Sequence, residues 1–475
     1  MSAVQSLDLQ SIDLDSGYLQ TRNQEIGKIF LDLDSEFQGM MADDWQAAIE
    51  AAKRLDEKER GLKYGEGQCV FPVEGNMYGE AGAGQGFIVV FQNALIRCGW
   101  TRAKEDPSFF FRLCPKSKKL QGISSYVDDL AGAISSKDPK KIWDELRARG
   151  WIFENEKELT KFLGVVIKKN SPRWYELSQE DYVTHLVQVH EERRGVVLRA
   201  RVTMPEVAPE HAKGPLECGT DIRSDIGALM YASRGTRPDL TLATSTLASA
   251  STKWWAAWDD FLGQVLACVK GTKNRKLQIN ATGWSEHLDD WGISAWVDSG
   301  RRKDDRCQTG VLVCVAPLEG SAQGGKLPPT EGLLPWQWQS TAQAFYKVSI
   351  MEGEYLALLH GGRAGLTCVA MWRAMIAVLR EYGESGLDED VDEQILRLFE
   401  DNAATIVAVQ RGIGASAAPY FALAYRLAAN WVHERYVEGQ LNVEKEATLR
   451  MLADGLTKLV SAACKSMFER GLLSA

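Results

Sequence analysis

Two adjacent aspartates interrupt a run that would otherwise read as buried strand. The segment is Gly122-Ile-Ser-Ser-Tyr126-Val127-Asp128-Asp129-Leu130-Ala-Gly132, apolar or small on both sides of the acids. A carboxylate taken out of water without a partner is expensive, so a pair placed here needs a cation, a basic partner or a turn that reaches solvent. A bare Asp-Asp between strands is ordinarily a solvated turn. At the tip of a tight hairpin, however, neighbouring carboxylates can converge on one metal ion. With a third carboxylate from another strand they make a two-magnesium site, of the kind that activates a 3′-hydroxyl and stabilises a departing pyrophosphate.

The pattern around the acids is mixed helix and strand. Ser11 to Gln20 and Lys28 to Leu33 read as strands, 43–62 as a helix of mixed charge, and 87–100 as an amphipathic helix. Phe109 to Leu113 and Gly122 to Leu130 read as strands, 137–150 as a charged helix, and Phe162 to Lys168 as a strand. Residues 203–220 hold three prolines and little periodicity, which marks a linker. Beyond it, 222–271 is helical, and its Trp254, Trp255 and Trp258 suit core packing better than base stacking. Strands return from Leu288 to Val315, and helix and strand alternate from Met351 onward, as in an α/β layer with a mixed sheet.

A second set of acids lies in the last third. Asp298 ends the strand-like Trp296-Val297-Asp298-Ser299, and Glu352 and Glu354 open a helix. Glu400-Asp401-Asn402 joins a strand to a helix, and Asp454 lies in Leu452-Ala453-Asp454-Gly455-Leu-Thr-Lys458. Singly, each is ordinarily a solvated or capping carboxylate, and first-turn acids favour a helix N-terminus in any case. Gathered on one face, about this set is what two magnesium ions need to hydrolyse a phosphodiester.

The totals limit the partners and compartment. At ~100–200 residues per domain, 475 residues make two to four domains. The net charge of −9 is unlike the basic excess of a free-standing nucleic-acid binder, so any phosphate contacts fall to a local groove. Candidates are Lys116 to Lys119 and Lys137 to Lys141, which otherwise read as solvated turns. The nine cysteines form no CxxC pair and the acidic start is no signal peptide, so reduced thiols and a cytoplasmic or nuclear, non-secreted protein are expected. No run of about 18 apolar residues is present, so no membrane span is expected.

In order and spacing, these pieces resemble the polyprotein of copia-type LTR retrotransposons. Tyr126-Val127-Asp128-Asp129 is the form taken by the reverse-transcriptase metal box. Ile12-Asp13-Leu-Asp-Ser-Gly17-Tyr18 is similar to the family's first palm motif. Met77-Tyr78-Gly79, Gly99-Trp100 to Phe109, Lys161 to Val166, Leu177 to Val183 and Leu229 to Leu240 follow in the family's order. In the last third, the segments around Asp298, Glu354, Asp401 and Asp454 resemble the family's ribonuclease H boxes.

The resemblance implies an α+β chain: a reverse-transcriptase palm remnant over 1–170, a mainly helical thumb and connection region over 171–285, and an RNase H-like α/β domain over 286–475. It implies Asp13, Asp128 and Asp129 as metal ligands for polymerisation, with Tyr18 as the gate against a 2′-hydroxyl. It implies Asp298, Glu354, Asp401 and Asp454 as ligands for hydrolysis, with two magnesium ions per site. The implied partners are an RNA template, a DNA primer, dNTPs and RNA-DNA hybrid. Departures are visible. The family has a fingers subdomain before its first motif, whereas almost nothing precedes Asp13, so the palm is expected to be truncated. Glu80-Ala-Gly-Ala-Gly-Gln85-Gly86 stands where the family has Lys, Gln and Pro, and Gly300 replaces an acid two residues after Asp298. Three readings stay open: an RNA-directed DNA polymerase with ribonuclease H activity, a hydrolase alone, and an inactive relic or co-opted nucleic-acid binder.

Overall fold

The computed structural model describes residues 1–14, 29–33, 69–73, 83–135, 137, 139–153, 156–210, 222–301, 306–318, 332–346, 349–382, 394–412, 423–459 and 464–474. The helix expected over 43–62 and most of the 203–220 linker lie outside them.

The chain opens with one helical turn, α1 (Ser2–Gln5), and strand β1 (Asp8–Asp13). An antiparallel ribbon pairs β2 (Ile29–Leu33) with β3 (Cys69–Val73). Helix α2 (Ala83–Arg97) precedes β4 (Thr101–Arg102), β5 (Phe109–Leu113), β6 (Leu120–Tyr126), β7 (Asp129–Ile134), α3 (Pro139–Arg147) and β8 (Lys157–Glu158). These build a six-stranded sheet in the order β4-β5-β6-β7-β1-β8. The single strand expected over Gly122 to Leu130 is in fact two, broken into a hairpin after Tyr126. The amphipathic helix is present as α2: Phe87, Phe91, Ala94 and Leu95 recur at helical spacing and pack with Trp143 and Leu146 of α3 on one face of the sheet.

Strands β9 (Lys161–Phe162), β10 (Val165–Ser171) and β11 (Trp174–Ser178) follow, joined by the later β12 (Leu277–Asn280) in the order β12-β11-β10-β9. Between them stand helices α4 (Glu180–Arg194), α5 (Ile222–Gly235), α6 (Thr241–Ala250) and α7 (Ala256–Gly271), with a core that holds Trp254 and Trp258, each 1% exposed. Trp255 lies at the surface and donates to the Glu210 carbonyl at 3.0 Å. The Thr236-Arg237-Pro238-Asp239 segment is structural here. Arg237 is 1% exposed, forks onto Asp239, and donates to the carbonyl of Thr272 at the C-terminal end of α7.

The last unit is a five-stranded mixed sheet. Its strands are β13 (Trp291–Arg301), β14 (Arg306–Pro317), β15 (Leu334–Tyr346), β16 (Leu396–Glu400) and β17 (Leu441–Lys445), ordered β15-β14-β13-β16-β17. The first three are antiparallel, and β16 and β17 run parallel to β13, so the layer is RNase H-like and the whole chain is α+β. Helices α8 (Ile350–Tyr382), α9 (Ala403–Arg411), α10 (Leu423–Val437) and α11 (Lys465–Glu469) complete it. Helix α8 is long and apolar enough to cross a membrane by length and composition, although no membrane span was expected; Leu, Val, Ile and Ala between its charges raise the average. It lines the largest core with Tyr355, Leu358, Trp372 and Met375, and that core continues into Phe111 and Leu120 of the six-stranded sheet.

Candidate functional site

The first acid set sits on the end of the six-stranded sheet. Tyr126 pairs with Asp129, so Val127 and Asp128 are the two central residues of a hairpin, and Val127 takes φ +54°. Two-residue hairpins favour turns with positive φ, a region that costs a branched side chain about 1–2 kcal/mol. Val127 is held there by packing beside Cys98 and Phe153. The turn delivers Asp129 directly opposite Asp13 of β1, and the Leu14 N–H donates to the Asp128 carbonyl at 3.1 Å. Asp13, Asp128 and Asp129 are therefore brought together, the first two half-buried and the third exposed. Ile12 and Leu130 point into the core with α2, so Asp13 and Asp129 face the other side of the sheet, next to the half-buried Ser11, Ser124 and Ala131. Tyr18 lies outside the described residues.

The second set is layered inside the mixed sheet. Trp296 of β13 pairs with Phe399 of β16, so Asp298 and Asp401 leave adjacent parallel strands at the same level. Ser349 and Glu352 form a reciprocal cap at the start of α8: the Ser349 N–H donates to Glu352 Oε2 at 2.9 Å and the Glu352 N–H to Ser349 Oγ at 3.3 Å. Glu352 is thus a capping residue, and Glu354 is the acid turned to the sheet. A Cβ at Gly353 would come within 2.4 Å of Ser299 Oγ, so only glycine lets the helix sit this close. Asn402 caps α9 by accepting the N–H groups of Ala404 and Thr405 at 3.1 and 3.2 Å, which fixes the junction that carries Asp401.

Alternation along the strands sorts these acids onto two faces. Ile293, Ala295 and Val297 face α8 while Trp296 faces the opposite core, so Asp298 points away from α8. There it accepts from the Thr457 hydroxyl, and Lys458 Nζ lies 2.6 Å from Asp454 and 3.6 Å from Asp298. A Cβ at Gly300 would meet the Thr457 carbonyl at 2.4 Å, so a side chain has no room here. Leu396 and Leu398 face α8, and Glu400 follows them onto that side with Glu354. Because the set is split, no group of three or more His, Cys, Asp or Glu among the described residues could hold a metal ion as they are placed.

The electrostatics show a shortage of positive charge. Burial, and then the charges of Glu400, Asp298 and Asp401, push the Glu354 carboxyl up to about 10. Burial lifts Glu400 to about 8 and Asp454 to about 6, and it raises Asp298 despite the nearby Lys458. Burial opposes the charge on Lys458, yet Asp298 and Asp454 raise its pKa. Glu354 Oε2 and Glu400 Oε2 are buried with no hydrogen-bond partner. An all-oxygen set with idle buried carboxylate atoms suits a hard cation such as magnesium.

Glu400, Thr457 and Lys458 were not candidates on sequence grounds. The signal for Glu400 was available: Leu396, Leu398 and Glu400 share the buried side of a period-two pattern.

No protein-family model matches the chain. Among solved structures it is similar to the foamy viral protease-reverse transcriptase in complex with RNA/DNA hybrid, at 11% identity over 94% of this chain and 45% of that one, with a TM-score of 0.44. It is also similar to the native prototype foamy virus protease-reverse transcriptase, at 12% identity over 97% of this chain and 45% of that one, with a TM-score of 0.21. The chain spans less than half the length of these structures.

Proposed function

We propose that this chain is part of a copia-type retroelement polymerase and that its C-terminal site hydrolyses the RNA strand of RNA-DNA hybrid. The observation that carries the reading is that Asp298 and Asp401 leave adjacent parallel strands at one level, that Glu354 and Asp454 feel the charge of both, and that Glu354 Oε2 is buried without a hydrogen-bond partner. These four would hold magnesium, which when bound supplies an activated water and stabilises the departing oxygen. The chain's own residues set the stage. Thr457 orients Asp298, Lys458 tethers Asp454, and the Asn402 cap holds the strand end that carries Asp401. The test is cleavage of a labelled RNA-DNA hybrid with magnesium. Wild type is expected to cleave and Asp298→Asn to lose at least a hundredfold; a folded wild type that leaves the hybrid intact would end the hydrolase reading.

A second activity is favoured by one observation, the register that sets Asp13 against Asp129 beside a floor of small residues. Asp13, Asp128 and Asp129 would hold magnesium for transfer from dNTPs to a DNA primer on an RNA template, with Tyr18 screening the sugar. Primer extension abolished by Asp128→Asn would support this. A chain that binds hybrid in a salt-dependent way but performs neither reaction is instead a nucleic-acid-binding relic.

A further inference from the structure

Glu400 has no part in the reading above. It is 0% exposed, on the α8 face of β16. One carboxyl oxygen accepts the Asn402 N–H at 2.9 Å, and the other has no partner. On the same face Glu354 is 4% exposed, also with an idle oxygen. Glu400 is the largest source of the repulsion felt by Glu354. Among the described residues neither acid forms an ion pair, because Lys458 is engaged on the other face by Asp298 and Asp454. Two buried carboxyls that repel one another, each with a spare oxygen, make a place where one divalent cation relieves both desolvation and repulsion.

We propose that Glu400 and Glu354 together hold a divalent cation through their idle oxygens, making Glu400 a fifth carboxylate of the site. The first ion enters on this face, since an ammonium already neutralises the Asp298–Asp454 face. The inference rests on reading the C-terminal site as a cation-dependent one.

The experiment is titration of the full chain with Mn2+ in the absence of nucleic acid, reading free Mn2+ by electron paramagnetic resonance and Tm in parallel. Glu400→Gln is expected to weaken binding by about tenfold or more, the size of effect seen when groups around a metal are removed. It should also abolish most of the Mn2+-induced rise in Tm. The metal-free variant should melt no lower than wild type, because an amide can donate to Glu354. Glu400→Asp, which keeps the charge but withdraws it, should fall between the two. An unchanged Mn2+ isotherm in Glu400→Gln overturns the proposal, as does a wild type that binds no Mn2+. The two readings fail separately. Mn2+ binding that depends on Glu400 in a chain that cuts no hybrid keeps the cation site and removes the hydrolase. Cleavage lost in Asp298→Asn with the Glu400→Gln isotherm unchanged does the reverse.

Discussion

The two acid sets hold their charges together by opposite means. Asp13, Asp128 and Asp129 are assembled by a hairpin turn and strand register at a sheet end, where Asp129 is exposed and water shares the charge. Asp298, Glu354, Glu400 and Asp454 are assembled by close backbone approach between layers, and burial makes each harder to ionise. A buried set is stabilised by protons, a lysine or a cation, and Lys458 stands beside Asp298 and Asp454 here. The charge state of the C-terminal site is therefore coupled to the stability of its domain.

Proton linkage gives the largest test of this contrast. Glu354 at about 10 and Glu400 at about 8 stand far above the ordinary value of 4.5. Between pH 4.5 and those values the folded chain binds more protons than the unfolded one. Their contribution is complete below the unfolded value and is lost as pH rises through the folded ones, at about 1.4 kcal/mol per pH unit for each proton. Urea unfolding in EDTA should show stability falling from pH 6 to pH 8. Glu354→Gln should flatten that slope; an equal slope in the variant and wild type would remove Glu354 as its source.

A smaller effect tests the close approach itself. Gly300→Asp drives a side chain into the Thr457 carbonyl. Overpacking of this kind costs about 1–3 kcal/mol, and the displaced turn would release Thr457 from Asp298. Thermal melts should show the loss. A variant as stable as wild type would mean that the layers can part without cost.

Much of this was legible in the chain, and the exceptions have physical causes. Helix α2 followed from periodicity because it buries one face against one partner. The Asp128-Asp129 hairpin was legible as a motif but was read as continuous strand, because Val127 is a strand-former held in a left-handed turn by packing that no local pattern reveals. The four acids of the last third could be picked out, yet not their division between two faces. That division depends on which strand neighbours which, and parallel pairing of β13 with β16 brings together residues about a hundred positions apart. Glu352 and Glu354 looked equivalent until Ser349 claimed the former as a cap.

The smallest test concerns the pair at the sheet end. Asp13 and Asp129 face each other across β1 and β7, and like charges directly opposite destabilise a sheet by about 0.2–1 kcal/mol. Asp129→Asn removes one charge with almost no change of shape, so metal-free chain should gain about that much at low salt. The gain should vanish near 1 M salt, where the screening length shrinks to about 3 Å. Glu400→Gln should behave differently, because salt does not reach a pair that water does not reach, and its effect should persist across the same range. Chemical denaturation in urea at both salt levels reads the difference. A salt-independent gain for Asp129→Asn would mean that the hairpin acids are also shielded from solvent, and the two sites would then differ in architecture but not in kind.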